Sequence, residues 1–454
     1  MSGAEQPGRA KRYTLWILAA VVAVVVIAFA WFVLAPGPTD FAGGRRVALA
    51  DYQGQDPTGA PPELKGASVV ERGEYLTRAA DCVVCHTAKD GAPFAGGVAF
   101  VLPFGTLYST NITPDAETGI GSYSDAEFLD AVHRGVGRGK TRLYPAMPYA
   151  SYTYMTDADA LAIKAYLFSL KPVHASAPQN TLQFPFNQRG LMGIWSALFN
   201  SNQRFQPHVE RGPVWNRGAY LVEALAHCGE CHTPRNLFQA LNTRQRFSGT
   251  VQAGWRAYNI TPDRNGGLGA WSDADLVHYL SLGHADGHGT AAGPMGELVD
   301  ESLSKLVPGD ITAMVTYLRS VPAVATADLP QPNTNPAPSS HAEGVAAKDM
   351  PGKAMYEGAC ASCHGWSGVS PIIPFATLTG ARAVNDRTAI NVAQVILSGA
   401  RRHVAGDTAN MPAFGAAYSD EEIAGLSNYV TARFGASPSQ LTAATIAKLR
   451  QESP

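Results

Sequence analysis

Three copies of one five-residue pattern constrain this chain more than any other feature. Each copy has two cysteines three positions apart and a histidine directly after the second, in "DCVVCHTA", "AHCGECHTP" and "ACASCHGW". On a helical turn, positions i, i+3 and i+4 share one face, so both sulfurs and the imidazole can contact one flat group. The pattern is typical of covalent c-type haem, in which the two thioethers hold the ring and the histidine ligates iron. It contains all six cysteines of the chain, Cys82, Cys85, Cys228, Cys231, Cys360 and Cys363, and the histidines His86, His232 and His364.

Two cysteines at this spacing are also found in disulfides, redox dithiols and zinc sites. A zinc site needs a second pair of ligands, and neither a disulfide nor a dithiol uses the adjacent histidine. Because three copies account for every cysteine, we interpret them as attachment sites for three haem c groups.

Length and charge agree with one haem per domain. A chain of 454 residues is long enough for about three domains of ~150 residues each. Its hydrophobic content of 46% is ample for packed cores. A net charge of −2 without a long basic run argues against nucleic acid as a partner.

The N-terminal region predicts a membrane anchor. Residues 15–35, "LWILAAVVAVVVIAFAWFVLA", carry no charge over a length that spans ~30 Å as a helix. Arg9, Lys11 and Arg12 precede this stretch, which keeps the N-terminus cytoplasmic and sends the remaining chain outward. The alternative is a signal peptide cleaved near "AFA" at 28–30, but the apolar run continues past that site. Either route delivers the haem motifs to an extracytoplasmic compartment.

Internal repetition defines the predicted domains. "ERGEYLTRAADCVVCHT" recurs as "NRGAYLVEALAHCGECHT", and both copies are followed by "NITPD"; a looser copy, "PGKAMYEGACASCHG", lies near the C-terminus. We predict a cytoplasmic tail and anchor at 1–40 and three cytochrome c domains at 41–173, 214–324 and 346–454. A connecting segment at 174–213 joins the first two domains, and a linker rich in proline at 325–345 joins the last two.

The coarse pattern of each repeat is helical. A glycine precedes each motif, and the last helix of each repeat contains a tyrosine that can pack across the first helix at that glycine; these residues are Gly73, Gly218 and Gly352, with Tyr166, Tyr317 and Tyr429. Capping boxes are expected at Ser124 with Glu127 and at Ser272 with Asp275. No strong strand alternation is present. The predicted fold class is therefore all-α, with three tandem cytochrome c domains after one transmembrane helix.

Methionines are the expected sixth ligands of the three irons. Met147 follows His86 by 61 residues and Met295 follows His232 by 63 residues, while Met411 follows His364 by 47 residues. Prolines adjoin all three methionines and predict irregular, rigid loops. His284 and His288 compete with Met295, and His403 with Arg401 and Arg402 is a possible contact for a haem propionate.

Iron with histidine on one side and methionine on the other has no open position for a substrate, so electron transfer is the expected role. The chain also lacks a glycine fingerprint for nucleotides and the common nucleophile motifs. We therefore expect no substrate-oxidising site of its own.

The motifs "GGVAF", "STNITPD", "GIGSYSDAEF", "YPAMPY", "HCGECHTPRN" and "MPAF" together resemble the trihaem cytochrome c subunits of membrane-bound periplasmic dehydrogenases. The resemblance covers essentially the whole chain after the anchor. It implies that this protein accepts electrons from a catalytic subunit and passes them to ubiquinone. It also implies a single-pass protein of the inner membrane with its haem domains in the periplasm.

The same resemblance suggests a class of catalytic partner. "GHGTAAGPMGE" is similar to cytochromes that serve molybdopterin aldehyde dehydrogenases, which also have a small iron–sulfur subunit. This partner is favoured over a quinoprotein or flavoprotein alcohol or sugar dehydrogenase. A haem peroxidase and a cytochrome subunit of a terminal oxidase are further alternatives. The connecting segment is apolar and is either a loop wrapped over the first two domains or a surface that touches lipid, quinone or a partner subunit. Within it, "FPFNQRGLMGIW" is where we look for contact with quinone or a partner.

Overall fold

The computed structural model describes residues 13–14, 16–24, 36–326, 350–404 and 407–452. The described chain is rich in helix, as predicted. The α-helices from residue 36 onward are α1 Val69–Ala79, α2 Cys82–His86, α3 Asp125–Arg134, α4 Tyr149–Tyr152, α5 Asp157–Ser169, α6 Leu191–Phe199, α7 Pro213–Tyr220, α8 Gly229–His232, α9 Asp273–Leu282, α10 Gly293–Glu301, α11 Pro308–Leu318, α12 Met350–Met355, α13 Ala361–His364, α14 Ile390–Ser398, α15 Asp420–Phe434 and α16 Ala443–Glu452.

Five two-stranded antiparallel hairpins accompany these helices in the described residues. The sequence pattern did not predict them, because strands of two to five residues are too short to show alternation. Their strands are β1 Ala99–Leu102, β2 Gly105–Tyr108, β3 Val136–Gly137, β4 Thr141–Arg142, β5 Thr250–Gln252, β6 Trp255–Ala257, β7 His284–Ala285, β8 Gly289–Thr290, β9 Ala400–Val404 and β10 Asp407–Met411.

The predicted capping boxes are confirmed at the starts of α3 and α9. The Ser124 hydroxyl accepts a hydrogen bond from the Glu127 backbone N–H, and the Glu127 carboxylate accepts one from the Ser124 backbone N–H. Ser272 and Asp275 form the same box. Each box satisfies two backbone N–H groups that the helix itself leaves without partners. These caps determine where the second long helix of each of the first two repeats begins.

Glycine allows the first and last helices of a repeat to cross in contact. At Gly73 in α1, an added Cβ would lie 1.9 Å from the Ala162 carbonyl oxygen and 3.0 Å from the Cβ of Tyr166 in α5. At Gly218 in α7, the corresponding distances to the carbonyl and tyrosine of α11 are 1.9 and 2.9 Å. Tyrosine packing at the glycine is therefore confirmed in both repeats.

The first two repeats share one hydrophobic core. The Tyr75 hydroxyl of the first repeat donates a 2.6 Å hydrogen bond to Asp310 of the second. The Tyr220 hydroxyl of the second repeat donates to Asp159 of the first. Because each tyrosine precedes its own haem motif and each aspartate begins the last helix of the other repeat, the exchange is reciprocal. It places the first two motifs side by side.

The third motif belongs to a separate core that docks on the second repeat through buried polar contacts. The guanidinium of Arg402 lies 2.8 Å from the Asp300 carboxylate of α10, and that of Arg256 lies 3.0 Å from Asp386. A buried ion pair costs desolvation and repays it only when its geometry is good. The docking therefore depends on the relative orientation of the second and third repeats.

The predicted anchor falls largely outside the described residues. Residues 16–24 are helical and exposed, with Trp16 74% exposed. Within the portion of the chain that the structure describes, no helix is long and apolar enough to cross a membrane. Residues 15 and 25–35 of the predicted anchor lie outside that portion, as do residues 327–345 of the predicted linker. The domain boundaries stay predictions.

Candidate haem-binding sites

Each cysteine–histidine motif lies on a short helix at the end of the glycine-containing helix. The first motif is α2, and the other two place their second cysteine and histidine on α8 and α13. A change of backbone geometry precedes every motif: Asp81 has φ 53°, and π-helical turns cover Leu221–Leu225 and Tyr356–Cys360. Such changes rotate the helix that follows.

The three motif histidines make the same hydrogen bond. A carbonyl oxygen can only accept, so each imidazole donates from Nδ1 and presents the lone pair of Nε2. Burial also lowers the pKa of all three imidazoles, which keeps them neutral. This is the tautomer that ligates iron through Nε2, so these residues fit haem. The bonds join His86 to Thr110 (2.7 Å), His232 to Tyr258 (2.6 Å) and His364 to Ala376 (2.6 Å).

The repeated "NITPD" sequence holds two of these carbonyl groups in place. Thr110 and Tyr258 each directly precede its asparagine. The Asn111 amide donates to the Val173 carbonyl at 2.7 Å, and the Asn259 amide donates to the Val324 carbonyl at 2.7 Å. The loop is thus tied to the end of its own repeat. Sequence reasoning used "NITPD" only as a marker of duplication and missed that it positions the histidines.

The motif cysteines do not have the environment of redox dithiols. None of the six is paired in a disulfide, and burial raises the pKa of Cys82 and Cys228 to about 12. Reactive dithiols have lowered pKa values, since the thiolate is the nucleophile. The raised pKa values agree with attachment sites and argue against dithiol exchange.

The three candidate methionines occupy different local structures. Met147 lies in a turn before α4, as expected for an irregular loop. The loop prediction was wrong for Met295, which lies in the first turn of α10, and for Met411, which ends strand β10. Proline in the first turn of a helix does not break it, and Pro294 is the second residue of α10.

The candidate methionines border the same cores as the attachment cysteines. Met147 and Met295 border the shared core together with Cys82 and Cys228, and Met411 borders the third core with Cys360. The sixth-ligand assignment stays a prediction.

The competing side chains near Met295 already have partners. His284 has Thr290 Oγ1 at 2.9 Å from Nδ1 and Asp286 at 3.1 Å from Nε2. His288 stacks on Trp271 with ring centroids 3.8 Å apart. Arg402, expected beside a propionate, instead pairs with Asp300 of α10. These contacts favour Met295 as the ligand.

Helix α4 connects the first two motifs. The Tyr152 hydroxyl donates a 2.5 Å hydrogen bond to the carbonyl of Ala80, two residues before Cys82. Its ring lies 5.3 Å from that of His227, which directly precedes Cys228. Next to it, Ser151 donates to Glu230 inside the second motif at 2.7 Å. The two attachment sites therefore face each other across one tyrosine, an arrangement suited to electron exchange.

Comparison with known proteins agrees with this geometry. A cytochrome c family model matches residues 70–171, and a model described as cytochrome c oxidase, cbb3-type, subunit III matches residues 347–430. The fructose dehydrogenase cytochrome subunit of Gluconobacter japonicus is 40% identical over 87% of this chain and 85% of its own length. For the gluconate 2-dehydrogenase cytochrome c subunit of Pantoea cypripedii the values are 37%, 89% and 92%.

A third relative is the cytochrome c subunit of alcohol dehydrogenase (quinone) from Gluconacetobacter polyoxogenes. It is 35% identical over 85% of this chain and 84% of its own length. All three relatives are thus matched over most of their length and are named as cytochrome subunits of dehydrogenases. Three haem-attachment motifs and this shared length place the chain in the family of trihaem cytochrome c subunits of dehydrogenases.

Proposed function

We propose that this chain carries electrons from an alcohol- or sugar-oxidising catalytic subunit through three haem c groups to ubiquinone at the periplasmic face of the inner membrane. The observation that carries the electron-transfer role is the juxtaposition of two attachment motifs across Tyr152 in one core. Such proximity serves exchange of electrons between cofactors and has no use in a single-centre haem enzyme.

The residues of the chain perform three tasks at each site. Covalently bound haem supplies reversible one-electron chemistry at iron. The bond from each histidine Nδ1 to a carbonyl fixes the orientation of the imidazole and raises the basicity of Nε2. A methionine thioether on the other side raises the reduction potential. The apolar cores limit access of water to the cysteines and methionines that border them.

The class of catalytic partner is inferred from the names of the three relatives described above. Their names refer to fructose, gluconate and alcohol, which supports the alternative that ranked second on sequence. The molybdopterin aldehyde dehydrogenase with an iron–sulfur subunit gains no support from them. The cbb3-type match covers the third motif alone, so a terminal oxidase is also less well supported.

The membrane and quinone parts rest on sequence. Residues 15–35 are free of charge over a bilayer-spanning length, and one relative's name contains the word quinone. A quinone at the membrane surface is the acceptor that an anchored electron carrier can reach.

The test is purification of the complex from native membranes through a tag at the C-terminus of this chain. We expect a co-purified catalytic subunit with flavin or pyrroloquinoline quinone, haem bands that are reduced by an alcohol or sugar, and reoxidation by a soluble ubiquinone analogue. Molybdenum and non-haem iron in the purified complex would instead identify the catalytic partner as a molybdopterin dehydrogenase. Peroxide turnover by the isolated chain, with no reduction through a partner, would overturn the electron-transfer role.

A further inference from the structure

We propose that one face of the first two repeats lies flat on the headgroups of an anionic phospholipid bilayer, directly above the Met147 site. This apolar–basic face consists of six exposed apolar residues and four cations: Phe184, Phe186, Leu191, Ile194, Leu237 and Phe238, with Arg138, Lys140, Arg142 and Arg189. The inference rests on the membrane location in the proposed function and adds the surface that meets the lipid.

Contacts beneath the face join its three segments into one surface. The indole N–H of Trp195 in α6 donates to the Phe238 carbonyl at 2.8 Å, and the Phe199 ring lies 5.8 Å from the Phe238 ring. On the other side, the Tyr144 hydroxyl donates to the Phe186 carbonyl at 2.9 Å. Helix α6, the loop before Met147 and residues 236–240 therefore form one unit with their apolar side chains outward.

The three stretches that supply the face carry charge of one sign, although Asp130 pairs with Arg134 at 3.0 Å just outside them. No aspartate or glutamate occurs in residues 131–156, 160–209 or 231–262, the three stretches that build the face, although the chain has 37 acidic residues. Arg189 lies 5.0 Å above the Tyr144 ring and donates to the Arg142 carbonyl at 2.9 Å, so cations sit at the edge of the apolar area. Exposed apolar side chains with a basic border match the requirements of an anionic lipid surface.

The position where the chain leaves its apolar N-terminal stretch agrees with this orientation. Gly37 to Asp40 line one cleft together with Tyr154, Ser201 and residues 203–206, which follow α6 closely in the chain. The Ser201 hydroxyl donates to the Tyr154 hydroxyl at 3.1 Å. The proposed function places residues 15–35 in the bilayer, and Gly37 follows that stretch by two residues, so the cleft near the end of α6 is close to the membrane surface in this orientation.

This face is adjacent to a candidate redox site. Trp195 packs edge-on against Tyr149 at 5.8 Å, and Met147 borders the same small cluster. A quinone headgroup in the lipid interface would thus approach the first repeat's site from its methionine side. The face belongs to the first two repeats, so the inference places their motifs, rather than the third, at the membrane end of the electron path.

The test uses cysteine accessibility in the full-length haem-loaded chain. Ile194→Cys lies on the face, and Ile372→Cys is its matched control in the third repeat, since the two isoleucines are 62% and 67% exposed. Haem thioethers occupy the native cysteines, and the unsubstituted chain serves as the blank. Each variant is placed at one copy per nanodisc, and its alkylation by a charged, water-soluble maleimide is compared with alkylation in detergent.

We expect alkylation at position 194 to slow at least tenfold in nanodiscs with anionic lipid, and less in purely zwitterionic ones, while position 372 stays unchanged. Equal rates at position 194 in detergent and anionic nanodiscs would overturn the inference. Protection that appears only when the catalytic subunit is added would assign the face to that subunit and also overturn it. Ubiquinone reduction by the intact complex is measured separately, so a failure of the proposed function is distinguishable from a failure of this inference.

Discussion

The proton on Nδ1 of each motif histidine is determined by its partner, because a backbone carbonyl accepts and cannot donate. Three carbonyls from three loops accept these protons at 2.6–2.7 Å. At the scale of single residues, the proximal side of every site is thus prepared by the chain. The methionine ligands are predictions, so substitution of these methionines is more informative than substitution of the histidines.

Met147→Ala removes the proposed thioether ligand of the first site. We expect the reduced protein to bind carbon monoxide at one haem, and the potential of that haem to fall, because methionine ligation raises it. Met155→Ala is the control, since Met155 is a fully buried core residue whose loss costs about 2–5 kcal/mol of stability without opening an iron. Unchanged optical spectra and no carbon monoxide binding in Met147→Ala would exclude it as a ligand. Met295→Ala tests the second site in the same way.

His133 makes stability depend on pH. Burial, with the nearby charge of Arg204, lowers its pKa to about 4, and the His133 side chain is only 1% exposed. The unfolded chain takes up this proton near pH 6.5 and the folded chain does so only near pH 4, so stability is lost as pH falls through this range. His133→Gln should remove about 1 kcal/mol of the stability change between pH 7.5 and 5.5, measured by denaturant unfolding.

The matching control for that experiment is His278→Gln, which changes an exposed histidine of α9. We expect its stability to vary with pH as in the unsubstituted protein. If His133→Gln also leaves the pH dependence unchanged, His133 takes up its proton equally in the folded and unfolded chains.

Crossings of the first and last helices organise the repeats at the scale of elements. The α1–α5 and α7–α11 crossings bring a helix backbone against a carbonyl oxygen, which only a residue without Cβ permits. The same helices carry the tyrosines that reach into the other repeat. A change at either crossing therefore affects both repeats.

Gly73→Ala should destabilise the protein by about 3 kcal/mol, because overpacking outweighs the gain of about 1 kcal/mol in helix propensity. Gly309→Ala is the control: Gly309 lies in α11, and an added Cβ there has no neighbour within 4 Å. That variant should be neutral or slightly stabilising. The comparison is made by thermal unfolding, and equal melting temperatures for both variants would contradict the close crossing.

Two main cores, a small cluster around Trp195 and a docked interface make up the part of the molecule that the structure describes. The first two repeats cannot be separated without breaking reciprocal tyrosine–aspartate bonds, whereas the third contacts α10 through the strand that carries Arg402. The Arg402 guanidinium also donates to the carbonyl of Gly296, the residue after Met295, at 2.8 Å. The third repeat therefore acts directly on the helix that carries the second site's candidate ligand.

Arg402→Met leaves the Asp300 carboxylate buried without its cation, which should cost about 3–5 kcal/mol. We also expect a shifted reduction potential at the second haem, measured by spectroelectrochemistry. Arg401→Met, one residue earlier on the same strand and exposed, should leave both quantities unchanged. Restoring part of the lost stability with Asp300→Asn in the Arg402→Met background would confirm that the unpaired charge is the cause; identical behaviour of the Arg401 and Arg402 variants would refute the docking role.

The sequence by itself determined the attachment motifs, the helix caps at Ser124 and Ser272 and the tyrosines that pack at Gly73 and Gly218. Each of these depends on residues a few positions apart or on a repeat that can be read along the chain. Short hairpins escaped prediction, because two to five residues are too few to establish a period.

Only the tertiary structure decided which groups meet across long separations. The carbonyl of Thr110 lies 24 residues from His86, and Tyr75 finds its partner Asp310 235 residues away. Sequence spacing determines which side chains share a helix face, but not which elements pack against each other. For that reason the exchange between the first two repeats, the helix around Met295 and the contact of Arg402 with Asp300 became visible only in the folded chain.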